Sequence, residues 1–160
     1  MPDPVPADGC DRLIYLHGFR SSPRSTKAQM FARRMAQAGR ATDFVCPALP
    51  DSPAAAIAMI LDSIRPTPGD VVVGSSLGGF YATCMAERHA ARAVLINPSI
   101  TPHVTLRACL GPQTNLYTGE RYVLTAEHVA QWERMWLPDI HPERYFLLVE
   151  TGDAQLDYRQ

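Results

Sequence analysis

Ser76 stands in the run Val71-Val72-Val73-Gly74-Ser75-Ser76-Leu77-Gly78-Gly79-Phe80. Three β-branched residues lead into Gly-Ser-Ser-Leu-Gly, and a helix-like segment follows. A G-x-S-x-G spacing therefore lies between a strand and a helix, the setting in which it makes a nucleophile elbow. The chemistry needs this spacing. The turn is so sharp that the residues two positions to either side of the serine have no room for a Cβ. Glycine at positions 74 and 78 removes that atom, and the Ser76 hydroxyl is lifted above the sheet toward a substrate carbonyl. The expected backbone at Ser76 is strained, with φ in a region unfavourable to non-glycine residues. Small residues after a strand also suit a phosphate cradle. Such loops carry G-x-x-x-x-G-K-[ST] or G-x-G-x-x-G, and neither is present.

A nucleophilic serine needs donors for the oxyanion that its attack creates. One is the N–H of the residue after the nucleophile, here Leu77. The other comes from the loop after a neighbouring strand. Arg12-Leu13-Ile14-Tyr15-Leu16 reads as such a strand, followed by His17-Gly18-Phe19. The N–H of Phe19 is the second donor, and two fixed N–H dipoles supply much of the rate enhancement in sites of this kind. The His17 ring reads as a structural clamp on the loop, and the functional role falls to the backbone beyond Gly18.

The segments Leu13–Phe19 and Gly74–Ala82 together resemble the α/β-hydrolase superfamily. Ser22-Pro23-Arg24-Ser25-Thr26-Lys27-Ala28, Asn97-Pro98-Ser99, and Thr151-Gly152-Asp153 with Leu156-Asp157-Tyr158-Arg159 resemble, more narrowly, the small bacterial YqiA-like esterases. The resemblance covers nearly the whole chain. It implies an esterase or thioesterase with a Ser-Asp-His triad, without metal or cofactor. Asp153, in a tight turn after the strand Tyr145–Val149, is then the acid that would orient a histidine. Glu150 and Asp157 are the competing carboxylates. The family continues through another helix and strand to a Gly-Asp-His type loop, and its catalytic histidine has no matching position in these 160 residues. The expectation is a sheet lacking its last strand and helix, in a C-terminally shortened chain. Its exposed apolar edge would invite self-association.

A replacement base must come within about 2.6–3.2 Å of the serine oxygen, directly or through water. His89 falls at the far end of the helix that begins at Leu77, and His141 precedes its strand at the wrong edge of the sheet. His17 belongs to the oxyanion loop. His103 and His128 lie in the segment between Asn97 and Glu143 and read as surface residues.

The supporting elements alternate strand and helix. Ala28, Phe31, Met35 and Ala38 share a helical face that Gly39 ends. Phe44-Val45-Cys46 is a short strand. Ser52-Pro53 opens a helix with Ile57, Ile60, Leu61 and Ile64 inward. Ala93–Ile96 and Tyr145–Val149 are the later strands. Apolar strands separated by helices give an α/β fold, a mostly parallel sheet covered on both faces, as one domain over 1–160. The stretch at about 99–143 reads as a small cap insertion that lines an apolar acyl pocket. Val129, Trp132 and Trp136 share a helical face there, packing onto the sheet. Tyr117, Tyr122 and Val123 fit either a short hairpin or an irregular cap.

Composition sets outer limits. Apolar residues make up 46% and charged residues 19%, which argues against disorder. A formal net charge of −1 offers no basic footprint for nucleic acid or anionic membrane. The N-terminal residues lack the pattern of a signal peptide, and no stretch is apolar enough to span a bilayer. The 4 cysteines show no C-x-x-C spacing, so metal binding is not expected and a reducing cytoplasm fits. Two function classes follow. One is a serine esterase or thioesterase acting through an acyl-enzyme on Ser76. The other is a non-catalytic domain of the same fold that binds a ligand or partner, because no triad histidine is evident.

Overall fold

A computed structural model of the protein describes residues 10–150. Asp153, Asp157 and the segment that carries them lie outside the described residues, as do residues 1–9. Five parallel strands form the main sheet: β1 (Leu13–Leu16), β2 (Phe44–Val45), β3 (Val71–Ser75), β4 (Arg92–Ile96) and β7 (Tyr145–Leu148), in the spatial order β2-β1-β3-β4-β7. Alternation along each strand divides two cores. Ile14, Leu16 and Val72 pack beneath α2 (Pro53–Met59), α3 (Leu77–His89) and α5 (Ala126–Met135). Tyr15 and Val73 face the other way, onto Ala28 and Phe31 of α1 (Thr26–Gln37). The sheet is therefore covered on both faces, as its apolar strands require.

Local signals start and stop these helices. Ser25 and Ser52 each accept a hydrogen bond from the backbone N–H three residues on. α1 stops at Gln37, and Gly39 takes φ +72, a left-handed value that costs glycine little. α2 runs on as a π turn over Ile60–Ile64, which buries Ile60 and Ile64 while Leu61 stays half-buried.

Between β4 and β7 the chain forms a short helix α4 (Pro102–Thr105), an antiparallel hairpin of β5 (Gly111–Thr114) and β6 (Arg121–Leu124), and α5. Thr125 and His128 cap α5 reciprocally: Thr125 Oγ1 accepts from the His128 N–H and His128 Nδ1 accepts from the Thr125 N–H, both at 3.3 Å. The face expected for Val129, Trp132 and Trp136 holds only for the first two. The helix ends at Met135, and Trp136 turns to φ −61, ψ 138 with 42% of its surface exposed. Trp132 is 1% exposed, and its Nε1–H donates to Tyr81 Oη at 3.1 Å. Trp132→Ala is expected to cost about 3–5 kcal/mol. Trp136→Ala is expected to cost less than about 1 kcal/mol. Urea midpoints decide, and equal losses would mean that both rings belong to the core.

β7 closes the sheet at one edge among the described residues. Glu87 of α3 anchors its entry, accepting from Tyr145 Oη at 2.6 Å, from the His141 N–H at 3.0 Å and from Arg144 at 3.2 Å. Burial by itself opposes a charge on Glu87, yet these donors outweigh it and hold the carboxyl down at about 2. Beyond that anchor, Phe146, Leu147, Leu148 and Val149 are all more than 40% exposed. No helix among the described residues is long and apolar enough to cross a membrane.

Candidate active site

The chain leaves β1 toward β2 on one side and returns to β3 on the other. The switch point of the sheet lies between β1 and β3, and loops diverging from their carboxyl ends leave a crevice there. His17-Gly18-Phe19 leaves β1 at that place, and Ser76 leaves β3 beside it. Ser76 has φ 53 and ψ −123, the strained value that the G-x-S-x-G spacing leads one to expect. Its surroundings fix it: the Ser76 N–H donates to the Ile96 carbonyl at 3.1 Å, and its carbonyl accepts from the Gly79 and Ser99 N–H groups, each at 2.9 Å.

The glycines are needed for clearance. A Cβ on Gly74 would lie 2.6 Å from the Gly78 carbonyl carbon and 2.7 Å from Gly79 Cα. A Cβ on Gly78 would lie 2.6 Å from the Leu16 carbonyl carbon and 2.8 Å from the His17 oxygen, so this glycine lets α3 approach the end of β1. A Cβ on Gly18 would lie 3.0 Å from Ser76 Cβ and 3.4 Å from its Oγ, which puts the loop after β1 directly against the hydroxyl.

Ser76 is half-buried, and its Oγ has no hydrogen-bond partner among the described residues. Leu77 begins α3, so its N–H has no helical acceptor, and the Phe19 N–H donates to no carbonyl or side chain among them. Both residues line one chamber of about 30 Å³, together with Gly18. Two residues with unspent amides thus line a small space whose wall at Gly18 abuts Ser76.

His17 is 5% exposed and bridges two loops: the Leu49 N–H donates to its Nε2 at 3.1 Å, and its Nδ1 lies 3.2 Å from the Gly18 carbonyl. The partners assign the proton to Nδ1. Burial lowers the pKa of this ring below 6.5, although the Gly18 carbonyl partly offsets it. Above pH 6.5 the ring is neutral folded and unfolded, and the clamp contributes fully. As pH falls through 6.5 the unfolded chain takes up the proton first, so stability drops until the folded ring also titrates. Urea midpoints measured from pH 7.5 to 5 should therefore fall more steeply for the wild type than for His17→Gln, whose amide oxygen can still accept from Leu49. Parallel slopes would remove the clamp from the account.

The other four histidines serve elsewhere. His128 caps α5, and His141 Nδ1 lies 2.6 Å from Glu87 Oε2. His89 closes α3. His103 packs against Trp136 with ring centroids 5.9 Å apart, and its buried Nδ1 has no partner among the described residues. None hydrogen-bonds to Ser76. Asp153, the acid assigned by resemblance, lies outside the described residues. Among those residues no cluster of histidine, cysteine or carboxylate side chains could hold a metal ion, and all four cysteines are unpaired.

The other residues that line this chamber were not visible as site residues in the sequence. Trp132 reads as a packing residue and Tyr81 and Asp51 carry no site signal in the sequence, yet all three line the chamber together with Tyr122. The hairpin is held over it by Asn115, whose amide donates to the Ser21 carbonyl at 2.8 Å, and by the Leu116 N–H, which donates to the Arg20 carbonyl at 2.9 Å. The expected apolar acyl pocket is corrected in one respect. The large apolar cavity, about 530 Å³, lies on the other flank of α3, between Phe80, Leu95, Leu147 and Trp136, and it shares no lining residue with the chamber. Leu77 and Tyr81 face one flank of α3 and Phe80 and Thr83 the other, so the helix separates the two spaces.

Residues 12–160 match the uncharacterised protein family UPF0227. The fold is similar to that of a protein from Agrobacterium vitis S4 that carries a provisional hydrolase assignment, with a TM-score of 0.72 and 19% identity, covering 92% of this chain and 71% of that one. It is also similar to mouse alpha/beta hydrolase domain-containing protein 10, with a TM-score of 0.65 and 18% identity over 92% of this chain and 71% of that one. Likeness at this identity establishes the architecture, an α/β-hydrolase fold with a five-stranded parallel sheet. With the match running through both the β1 loop and the serine elbow, the chain belongs to UPF0227, the YqiA-like family.

Proposed function

We propose that this chain is a serine-dependent hydrolase of small carboxylic esters or thioesters. The carrying observation is the strained Ser76, held beside two unspent amides at the sheet's switch point. Ser76 Oγ would bond to the carbonyl carbon while the carbonyl electrons move onto the oxygen, which the Leu77 and Phe19 amides receive. Collapse breaks the bond to the alcohol or thiol, which leaves with the serine's proton. Water then adds to the acyl-enzyme and releases the acid, and Oγ recovers a proton. The steps as written use no metal or cofactor. The unpaired thiols fit a reducing compartment such as the cytoplasm.

The Oγ proton needs a base, and no histidine among the described residues hydrogen-bonds to it. Serine and base act as a unit, so the expected turnover is slow, on the order of the 10³–10⁴ over water that oxyanion donors and binding supply in serine proteases. A panel of short aryl esters, acyl thioesters and aryl phosphates tests this. Carboxylic substrates should turn over above the buffer rate and phosphates should not. A preference for phosphates would overturn the reading. Ligand binding with no acyl transfer under any condition would favour the non-catalytic alternative.

A further inference from the structure

The 30 Å³ chamber beside the oxyanion donors has hydrogen-bonding capacity that the protein does not use. Tyr81 is 2% exposed. Its oxygen accepts from Trp132 Nε1, but its own O–H has no acceptor among the described residues. The Tyr122 hydroxyl makes no hydrogen bond among the described residues, and neither does the carboxylate of Asp51, an exposed residue of the chamber's lining. The three groups sit in one another's field. Burial above all, and then the charge on Asp51, pushes the Tyr122 phenol up to about 12. Tyr81 is raised too, by burial first, with Tyr122 and Asp51 adding to it. Both phenols therefore keep their protons and remain donors at neutral pH.

Two O–H donors and one carboxylate acceptor complement one kind of group. An aliphatic hydroxyl offers two lone pairs and one proton. Size agrees: a water needs about 10–15 Å³ on this measure, so the chamber takes a substituent of one or two heavy atoms and no alkyl chain. A buried donor that a substrate leaves unpaired discriminates against that substrate, and the buried O–H of Tyr81 is such a donor.

We infer that the chamber recognises a hydroxyl on a short acyl group, with Tyr81 and Tyr122 donating to its oxygen and Asp51 accepting its proton. The site would then prefer hydroxyacyl esters to their plain acyl counterparts. This rests on reading the Leu77 and Phe19 amides as the oxyanion site, but its test does not depend on turnover.

Binding of lactamide and 3-hydroxybutyramide is compared with that of propionamide and butyramide, followed by NMR on the Trp132 indole N–H, which donates to Tyr81. The exposed Trp136 indole serves as the internal reference. The hydroxyamides should bind at least about tenfold more tightly, shift the Trp132 resonance, and do so equally in Ser76→Ala. Tyr81→Phe should remove the preference. Because that variant strips the acceptor from Trp132 and can fail to fold, Asp51→Ala, at an exposed position, is the second arm and should reduce the preference at least threefold. Equal binding of the two amide classes overturns the inference, and so does a full preference retained in Asp51→Ala. Failure of the hydrolase reading would show separately, as a Ser76 that no acylating or phosphonylating reagent modifies.

Discussion

Gly78→Ala is expected to cost more than about 4 kcal/mol, enough to leave little folded protein. The added Cβ would meet the Leu16 carbonyl and the His17 oxygen, which are main-chain atoms of β1 and of the loop that follows it. Neither can rotate away as a side chain would. Relief requires α3 to move off the sheet, and α3 buries Leu77, Phe80, Tyr81, Ala82, Cys84 and Met85 against it. Gly39→Asn is the natural control. Gly39 also has a positive φ, but no atom lies within 4 Å of its Cβ position, and Asn tolerates the left-handed region. Urea unfolding of the two variants should differ by several kcal/mol. A Gly78→Ala protein within about 1 kcal/mol of wild type would mean that the elbow is looser than its packing implies.

Added imidazole is expected to raise Ser76-dependent acyl transfer by about 10²-fold, the low end of what a positioned general base supplies. The reason is specific to this site. Ser76 is half-buried and its Oγ has no hydrogen-bond partner among the described residues, so proton removal is the step that an added base would serve. A diffusible base of the right pKa supplies that function at reduced efficiency. Imidazole also cleaves activated esters by itself, so the quantity to compare is the rate with wild type minus the rate with Ser76→Ala at equal imidazole. Ser76→Ala should abolish the difference without loss of stability, since alanine at φ 53 carries the same backbone strain as serine. In the absence of imidazole the two proteins should differ little, because a serine without a base contributes little. A large Ser76 dependence without imidazole would show that a base is already in place.

Much of this architecture was legible in the chain because its signals are local. The apolar runs marked the five strands of the main sheet, although β3 continues two residues past Val73. Ser25 and Ser52 precede the helices they cap, and Gly74 and Gly78 fit an elbow once the phosphate-loop spacings are absent. What stayed hidden depends on contacts between distant segments. The hairpin was ambiguous because β5 is Gly-Pro-Gln-Thr, with one β-branched residue. Its place over the site comes from Asn115 and Leu116 reaching the loop after β1, some 94 residues earlier in the chain for the Asn115 bond. Tyr81, Asp51 and Tyr122 converge on one chamber from a helix, a loop and a hairpin strand, and no spacing in sequence records that. Trp136 misled because periodicity carried the helix one residue past the point where the backbone leaves it.

The central claim is that Ser76 is a nucleophile served by the Leu77 and Phe19 amides. A fluorophosphonate tests it most directly. Oγ bonds to phosphorus, fluoride leaves, the serine's proton passes to the added base, and the phosphoryl oxygen occupies the oxyanion site. The folded protein is incubated with the reagent and imidazole, its intact mass is read, and the adduct is mapped by peptide fragmentation. The result expected is one adduct per chain, on Ser76 and not on Ser75 or Ser99, with none in Ser76→Ala. An adduct on another residue that survives Ser76→Ala, or none on a protein shown to be folded, would contradict the account.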